Sequence, residues 1–241
     1  MRKKKTLIYL GIVSGLFLAI LPFLRTHAPA HLFTVPRDGV IVIDAGHGGI
    51  DGGASTDQLL EKDINLAVAL KLKEYLIGKG FRVVMTREED ISLDSQNNSS
   101  QSRQRRDLAA RTSIINGSHA ELFISIHADS NARRPAADGS IVLYRDTLPH
   151  NQYLALCIQR ALNGITINGR KRTVHDPREG DYYLLNHAQI PGVIVETAFL
   201  SNAAEHGLLK QDAFRDRLAK AVALGIEQYF SQTSLMGKAD W

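Results

Sequence analysis

From residue 39 onward, short unbroken apolar runs alternate with stretches of helical period. Val40-Ile41-Val42-Ile43 is a row of β-branched residues and predicts a buried strand ending at Asp44 and a glycine-rich loop. Glu61 to Lys79 sets Ile64, Val68, Leu72, Tyr75 and Leu76 on one stripe, with Gly78 and Gly80 near its end, and predicts a helix. Phe81 to Met85 reads as a strand, Arg105 to Asn116 as a helix closing at Gly117, and Leu122 to Ile126 as a third strand. Ile141 to Tyr144 and Val193-Ile194-Val195 are further strands, with a helix from Tyr153 to Leu162 between them. Phe214 to Phe230 follows the helical period most closely, through Leu218, Ala221, Val222, Gly225, Ile226 and Tyr229. Strands without apolar–polar alternation, separated by helices, imply a sheet covered on both sides. The expected fold is α/β: a single domain whose mostly parallel, twisted sheet carries helices on both faces. Ile91 to Gln104, rich in Ser, Asn, Gln and Arg, interrupts the pattern and reads as a surface loop.

The start of the chain breaks the pattern differently. Leu7 to Leu24 spans 18 residues without a charge, behind Arg2, Lys3, Lys4 and Lys5. An apolar segment behind a basic cluster is an export signal or a membrane anchor. The cations stay on the cytoplasmic side, so everything after Arg25 is sent across the membrane. Ala28-Pro29-Ala30 resembles a small-residue cleavage site, whereas the length of the apolar run suits a retained single span. The expected organisation is an N-terminal apolar export or anchor helix (1–26), a linker (27–38), one globular domain (39–231) and a C-terminal tail (232–241).

Charge and cysteine content narrow the function. The chain has 241 residues and a net charge of +4, which by itself suggests a polyanionic partner. Residues 1–25 hold five of the cations and no acid, which leaves the other 216 residues at a net of −1. The excess charge belongs to the export segment, and nucleic acid is not an expected partner. Cys157 is the only cysteine, which excludes an internal disulfide and any thiolate metal cluster.

The candidate chemistry sits where strands end. His47 lies just past the first strand, in Asp44-Ala45-Gly46-His47-Gly48-Gly49, and His127 caps the third, in Ser125-Ile126-His127-Ala128-Asp129. In open α/β sheets, ligands gather beyond the carboxyl ends of the strands. Glu196 directly follows Val193-Ile194-Val195, where burial makes an unpaired carboxylate costly. Metal ligation, a cationic partner or a catalytic role each accounts for it. Glu61 opens the first long helix, a place where the helix dipole favours an acid in any case. Two histidines with carboxylates and no cysteine suit catalytic zinc, with one position left for water. Gly46 to Gly53 lacks the Lys-Ser/Thr of a phosphate loop and misses the dinucleotide spacing. The chain has neither H-E-x-x-H nor G-x-S-x-G. His175 and His187 fall in an expected loop region within reach of substrate. Arg103, Arg105, Arg106 and Arg111 cluster around a loop and helix start, and Arg87 and Arg111 can pair with Glu196 or another buried acid.

These residues stand inside longer motifs. The stretch from Val40 to Ala54, VIVIDAGHGGIDGGA, resembles the opening motif of the zinc-dependent N-acetylmuramoyl-L-alanine amidases, the amidase 3 family. Leu60-Glu61-Lys62-Asp63, Met85-Thr86-Arg87, Phe123-Ile124-Ser125-Ile126-His127-Ala128 and Glu196-Thr197-Ala198-Phe199-Leu200-Ser201-Asn202 follow in the family's order, across residues 39–230. Within the family the chain is similar to the germination-specific, spore-cortex amidases. A basic apolar segment leading into one domain, and the polar insertion after Thr86-Arg87, fit that subgroup, and no cell-wall-binding repeat is present.

The resemblance implies a single zinc ion per chain held by His47, Glu61 and His127, with Glu196 as the catalytic residue. It implies peptidoglycan, glycan strands bearing stem peptides, as the substrate, cleaved between N-acetylmuramic acid and L-alanine. In the spore cortex this would lie on the route to muramic lactam and germination, with a downstream deacetylase and an accessory protein as partners. The expected location is outside the cytoplasm, in the cell wall or forespore intermembrane space, either secreted or membrane-anchored through the N-terminal segment. Asn131, Arg87 and His175 are the residues expected to touch substrate. The chain departs from the family pattern at two places. Asp129 stands where Asn usually follows Ser-Ile-His-Ala, with Asn131 further on, and Ala198 stands where glycine is usual. The backbone after Glu196 is therefore expected to avoid a glycine-only conformation. Two other readings remain beside the amidase: a zinc peptidase acting within the stem peptide, and a membrane-tethered peptidoglycan-binding protein without turnover.

Overall fold

A computed structural model describes residues 39–56, 59–148 and 150–236. The expected export segment and linker lie outside the described residues, among which no helix is long and apolar enough to cross a membrane. Strand β1 (Val40–Ala45) is followed by the short pair β2 (Ser55–Thr56) and β3 (Leu59–Leu60), helix α1 (Glu61–Gly78) and β4 (Arg82–Met85). Next come α2 (Arg103–Gly117), β5 (Leu122–Asp129), β6 (Ile141–Tyr144) and α3 (Asn151–Asn163). A second short pair, β7 (Thr166–Ile167) and β8 (Arg170–Lys171), leads to β9 (Arg178–Glu179) and α4 (Tyr183–His187). The chain then forms β10 (Gly192–Phe199), α5 (Ala203–Leu209) and α6 (Asp212–Met236).

Six strands make one sheet, in the order β4-β1-β5-β10-β6-β9. The first four are mutually parallel, β6 runs against β10, and β9 runs along β6. Burial on both faces is why the strands read as unbroken apolar runs. Ile41, Ile43, Ile124 and Val195 point to one face and pack with Leu72 of α1, Ile158 of α3 and Leu218 of α6. Val42, Phe123 and Ile194 point to the other and pack with Ile115 of α2 and Leu184 and Leu185 of α4. The α/β architecture expected from the pattern is the one observed.

Two boundaries differ from expectation. The final helix runs on to Met236, into the expected tail. The polar insertion is also less loose than its composition implies. It contains a turn of 3-10 helix at Asp94–Gln96, and its last two residues already belong to α2, whose N-terminus Ser102 caps by accepting from the Arg105 N–H. Leu93 is buried, and its N–H donates to Asp107 Oδ1 of α2 at 2.7 Å. One apolar anchor and one buried carboxylate thus tie the insertion down.

Candidate active site

Three strand ends and the first turn of α1 bring His47, Glu61, His127 and Glu196 to a single cleft of about 400 Å³. The way each side chain gets there is visible in the backbone. His47 has left β1 and sits in the left-handed region at φ 60°. That conformation is uncommon for a residue with a side chain, and two buried arginines hold it. Arg111 donates to the carbonyls of Ala45 and His47 at 2.8 and 2.6 Å. Arg87 donates to those of Ala45 and Gly46 at 2.8 and 3.0 Å. The loop closes by paired main-chain hydrogen bonds between Gly48 and Asp51 at 2.9 and 3.1 Å. This places Asp51 Oδ2 at 2.9 Å from His47 Nδ1, so that Nε2 is turned toward Glu61 Oε1, 3.2 Å away.

Glu61 faces inward, with its Oε1 2.9 Å from His127 Nδ1. The Ala54 N–H donates to Oε2 at 2.8 Å, and Asn65, one helical turn later, donates to Oε1 at 3.2 Å. The loop can approach this closely because residue 53 is glycine. Gly53 has φ +66°, and a Cβ there would stand 2.5 Å from Glu61 Oε2. His127 is on β5, and its register partner on the parallel neighbour β10 is Glu196. The Thr197 hydroxyl donates to the His127 carbonyl at 2.8 Å, which ties the two strands at this level.

One ligand atom from each of His47, Glu61 and His127 lies within 4.8 Å of the other two. Two imidazoles and a carboxylate, without sulfur, are a donor set that fits zinc. Asp51 behind His47 is the kind of carboxylate that orients a ligating imidazole. Burial works against charge on His47, but Glu61 and Asp51 outweigh it and push its pKa up to about 9. Burial alone would raise Glu61; the two histidines outweigh it and hold the carboxyl well below the usual carboxylate range.

Glu196 is in the opposite situation. Burial pushes it up to about 7, with Glu61 and Asp129 adding to the rise and His127 opposing it. Its Oε2 is buried and has no hydrogen-bond partner. A carboxyl that titrates near neutrality and keeps a free oxygen is suited to take up and return a proton at pH 7.

The other expected substrate contacts fall elsewhere. Arg87 is buried, and its donors are engaged by the carbonyls of Ala45, Gly46, Lys62 and Glu89, so it does not face the cleft. His175 lies outside the cleft wall, with Nε2 2.7 Å from the Asp138 carbonyl. Asn131 follows the cleft-lining Ser130, but its N–H donates to Ser201 Oγ and its Oδ1 accepts from the Arg134 N–H. Of the acids open to Arg111, the structure pairs it with Asp44 and Asp107, not Glu196. His187 stacks on the cleft-lining Tyr183, ring centres 4.0 Å apart. Asp129 lines the cleft, and burial, with Glu61 adding, pushes its carboxyl up. Ala198 is buried in β10 with φ outside the left-handed region, in keeping with the backbone expected there. The residues not anticipated are Asp51 and Tyr182. Asp51 carries a usable signal, a carboxylate four positions after a strand-end histidine; Tyr182 carries none.

A doubly covered, mostly parallel sheet gathers imidazoles and carboxylates in a cleft at its carboxyl edge, a setting suited to hydrolytic chemistry. The family model described as N-acetylmuramoyl-L-alanine amidase matches residues 41–228, and the chain belongs to that family. It is 36% identical over 202 residues to the germination-specific N-acetylmuramoyl-L-alanine amidase of Bacillus subtilis, covering 83% of this chain and 84% of that one. To N-acetylmuramoyl-L-alanine amidase LytC of the same organism it is 33% identical over 192 residues, 79% of this chain and 35% of LytC. Among solved structures it resembles the CwlD amidase of Clostridioides difficile, determined in complex with the GerS lipoprotein. The TM-score is 0.73 at 35% identity, over 81% of this chain and 100% of that one. The expected resemblance to the amidases, and to their germination-specific members, is borne out, and the chain is a peptidoglycan amidase.

Proposed function

We propose that the chain is a zinc-dependent enzyme of the spore cortex that hydrolyses the amide between the lactyl group of N-acetylmuramic acid and the L-alanine of the stem peptide. The observation that carries this reading is the convergence of His47, Glu61 and His127 beside an unpartnered, buried oxygen of Glu196. The two histidines and Glu61 would hold one zinc ion, with His47 braced by Asp51 and Glu61 braced by the Ala54 N–H. When bound, zinc polarises the scissile carbonyl and makes water a usable nucleophile near neutral pH. Glu196 accepts the proton of the attacking water and returns it to the nitrogen of the departing L-alanine, acting first as base and then as acid.

The similarity to a germination-specific amidase supports a cortex role. Removal of the stem peptide there would precede deacetylation and closure of the muramic lactam. A lipoprotein of the kind bound to the C. difficile amidase is the class of accessory partner to seek. Residues 1–26 would deliver the domain across the membrane and either anchor it or be cleaved. Mass spectrometry of digested muropeptides tests the reaction. The expected products are free glycan and an intact stem peptide beginning with L-alanine. L-Alanine left on the sugar would indicate a peptidase acting within the stem, and an absence of products would indicate a binding module. For the cortex role, a deletion strain should form spores without muramic lactam.

A further inference from the structure

Tyr182 is the exposed aromatic ring of the cleft. It lines the same cavity as Glu196 and is 45% exposed, whereas most large apolar side chains of the domain are buried. Its position is held from several sides. The residue is extended, with φ −116° and ψ 146°, immediately before α4. Its carbonyl accepts from the Asn186 N–H at 3.0 Å, and the preceding Asp181 accepts from the Asn186 side chain at 2.7 Å. Gly180, two residues earlier, is tied to the sheet through its N–H and the Tyr144 carbonyl at 2.9 Å.

Gly180 also explains how the ring is seated. A Cβ at this position would stand 2.7 Å from Tyr182 Cδ2 and Cε2, yet Gly180 has no positive φ. A side chain here would displace the ring, although the backbone conformation would accept one. One side of the ring therefore rests on main chain, and the remainder stays bare toward the cleft. A bare aromatic surface on an anchored main chain is a ready contact for an apolar ligand face.

The groups beside it suit one part of the substrate, since Asp129 lines the same cleft. The carboxylates of Glu196 and Asp129 are near enough to act on the Tyr182 phenol, after burial itself, and both favour its protonated form. An N-acetylated pyranose is uncharged, has an apolar C–H face for the ring and presents hydroxyl donors to Asp129.

We propose that Tyr182, seated on Gly180 and flanked by Asp129, is the platform on which the N-acetylmuramoyl sugar of the substrate stacks. The assignment rests on the amidase reading and deepens it, by saying which wall of the cleft receives the glycan. Tyr182 is a specificity residue, and its loss weakens recognition of the sugar more than that of the peptide.

The test uses a purified disaccharide muropeptide as substrate, with peptide-free disaccharide and free stem peptide as competing inhibitors. Tyr182→Ala should raise KM about three- to tenfold, the size expected for one aromatic stack, and weaken inhibition by the disaccharide by the same factor. Inhibition by the stem peptide should not change. Tyr182→Phe should stay within about twofold of wild type, because the ring face is kept. Gly180→Ala should reproduce the Tyr182→Ala values and add nothing when the two are combined. Weakened inhibition by the peptide, equal weakening of both inhibitors, no inhibition of wild type by the disaccharide, or an unchanged KM would each overturn the assignment. A wild-type enzyme that leaves the muropeptide uncut would instead remove the amidase reading beneath it.

Discussion

Arg111 Nη1 lies 2.7 Å from Asp44 Oδ1, with side chains 2% and 0% exposed. The same guanidinium gives its Nε to Asp107 at 2.6 Å and two further hydrogen bonds to the carbonyls of Ala45 and His47. Asp44 in turn accepts from the hydroxyls of Thr86 and Ser125, at 2.7 and 2.6 Å. An ion pair beneath the sheet's carboxyl edge thus sets the turn that presents His47.

Removing Arg111 leaves the buried carboxylates of Asp44 and Asp107 without their cation, and loss of one partner of a buried pair costs about 3–5 kcal/mol. Arg111→Met should lower the unfolding free energy by that amount in urea titrations. It should also weaken zinc binding, because the His47 carbonyl loses its donor. A variant as stable as wild type would show that the pair does not bear on stability.

The pair also makes stability sensitive to acid. Burial alone would raise the Asp44 carboxyl, but Arg111, Ser125 and Thr86 outweigh it and hold the pKa at about 2. The unfolded value is near 3.9, so the folded state binds the proton less readily. The difference contributes about 2–3 kcal/mol, complete above pH about 5 and lost as pH falls through about 2. Urea midpoints measured from pH 7 to pH 2.5 should fall over this window. In Asp44→Asn, which is less stable throughout, this part of the fall should vanish.

Glu196→Gln should lower kcat about 100- to 10,000-fold, the range of a lost general acid–base. Zinc content should stay the same, since the three ligand side chains are untouched. In wild type, activity should fall as pH drops and Glu196 takes up its proton, and the glutamine variant should lose this acid limb. Wild-type turnover by the variant would remove Glu196 from the reaction.

Metal uptake should release protons. His47, pushed up to about 9 by Glu61 and Asp51, carries a proton at pH 7 that a metal must displace. Calorimetric titration of chelator-treated protein in buffers of different ionisation enthalpy should show this release, with affinity falling as pH falls. Asp51→Asn should weaken zinc binding about 10- to 100-fold, as loss of an orienting carboxylate does. Zinc at a hundred times its Kd should stabilise the fold by about 2.7 kcal/mol, a gain that chelator removes.

The fold is legible in the sequence where elements are long or buried on both faces. Val40 to Ile43 and Val193 to Val195 admit no amphipathic alternative, and α1 and α6 carry the helical period over several turns. The two-residue strand β9 and the five-residue helix α4 have no period to detect. In the site, His47, His127 and Glu196 are legible because each ends or follows a buried strand. Glu61 is not, since an acid in a first helical turn has an adequate local explanation, and only the family motif singles it out. Arg87 misleads for a related reason. A cation near a site suggests substrate until the carbonyls that turn it inward are in place. The seat of Tyr182 depends on what touches Gly180, a contact that no local pattern encodes.

The sheet is bounded by β4, four residues long and opening with exposed Arg82, and by β9, two exposed charged residues. Short or charged margins give an incoming chain little backbone to pair with. Peptidoglycan lies outside the cytoplasm, and there resistance to strand addition built into the domain is of use. The margins of the sheet thus disfavour strand addition between copies of the domain.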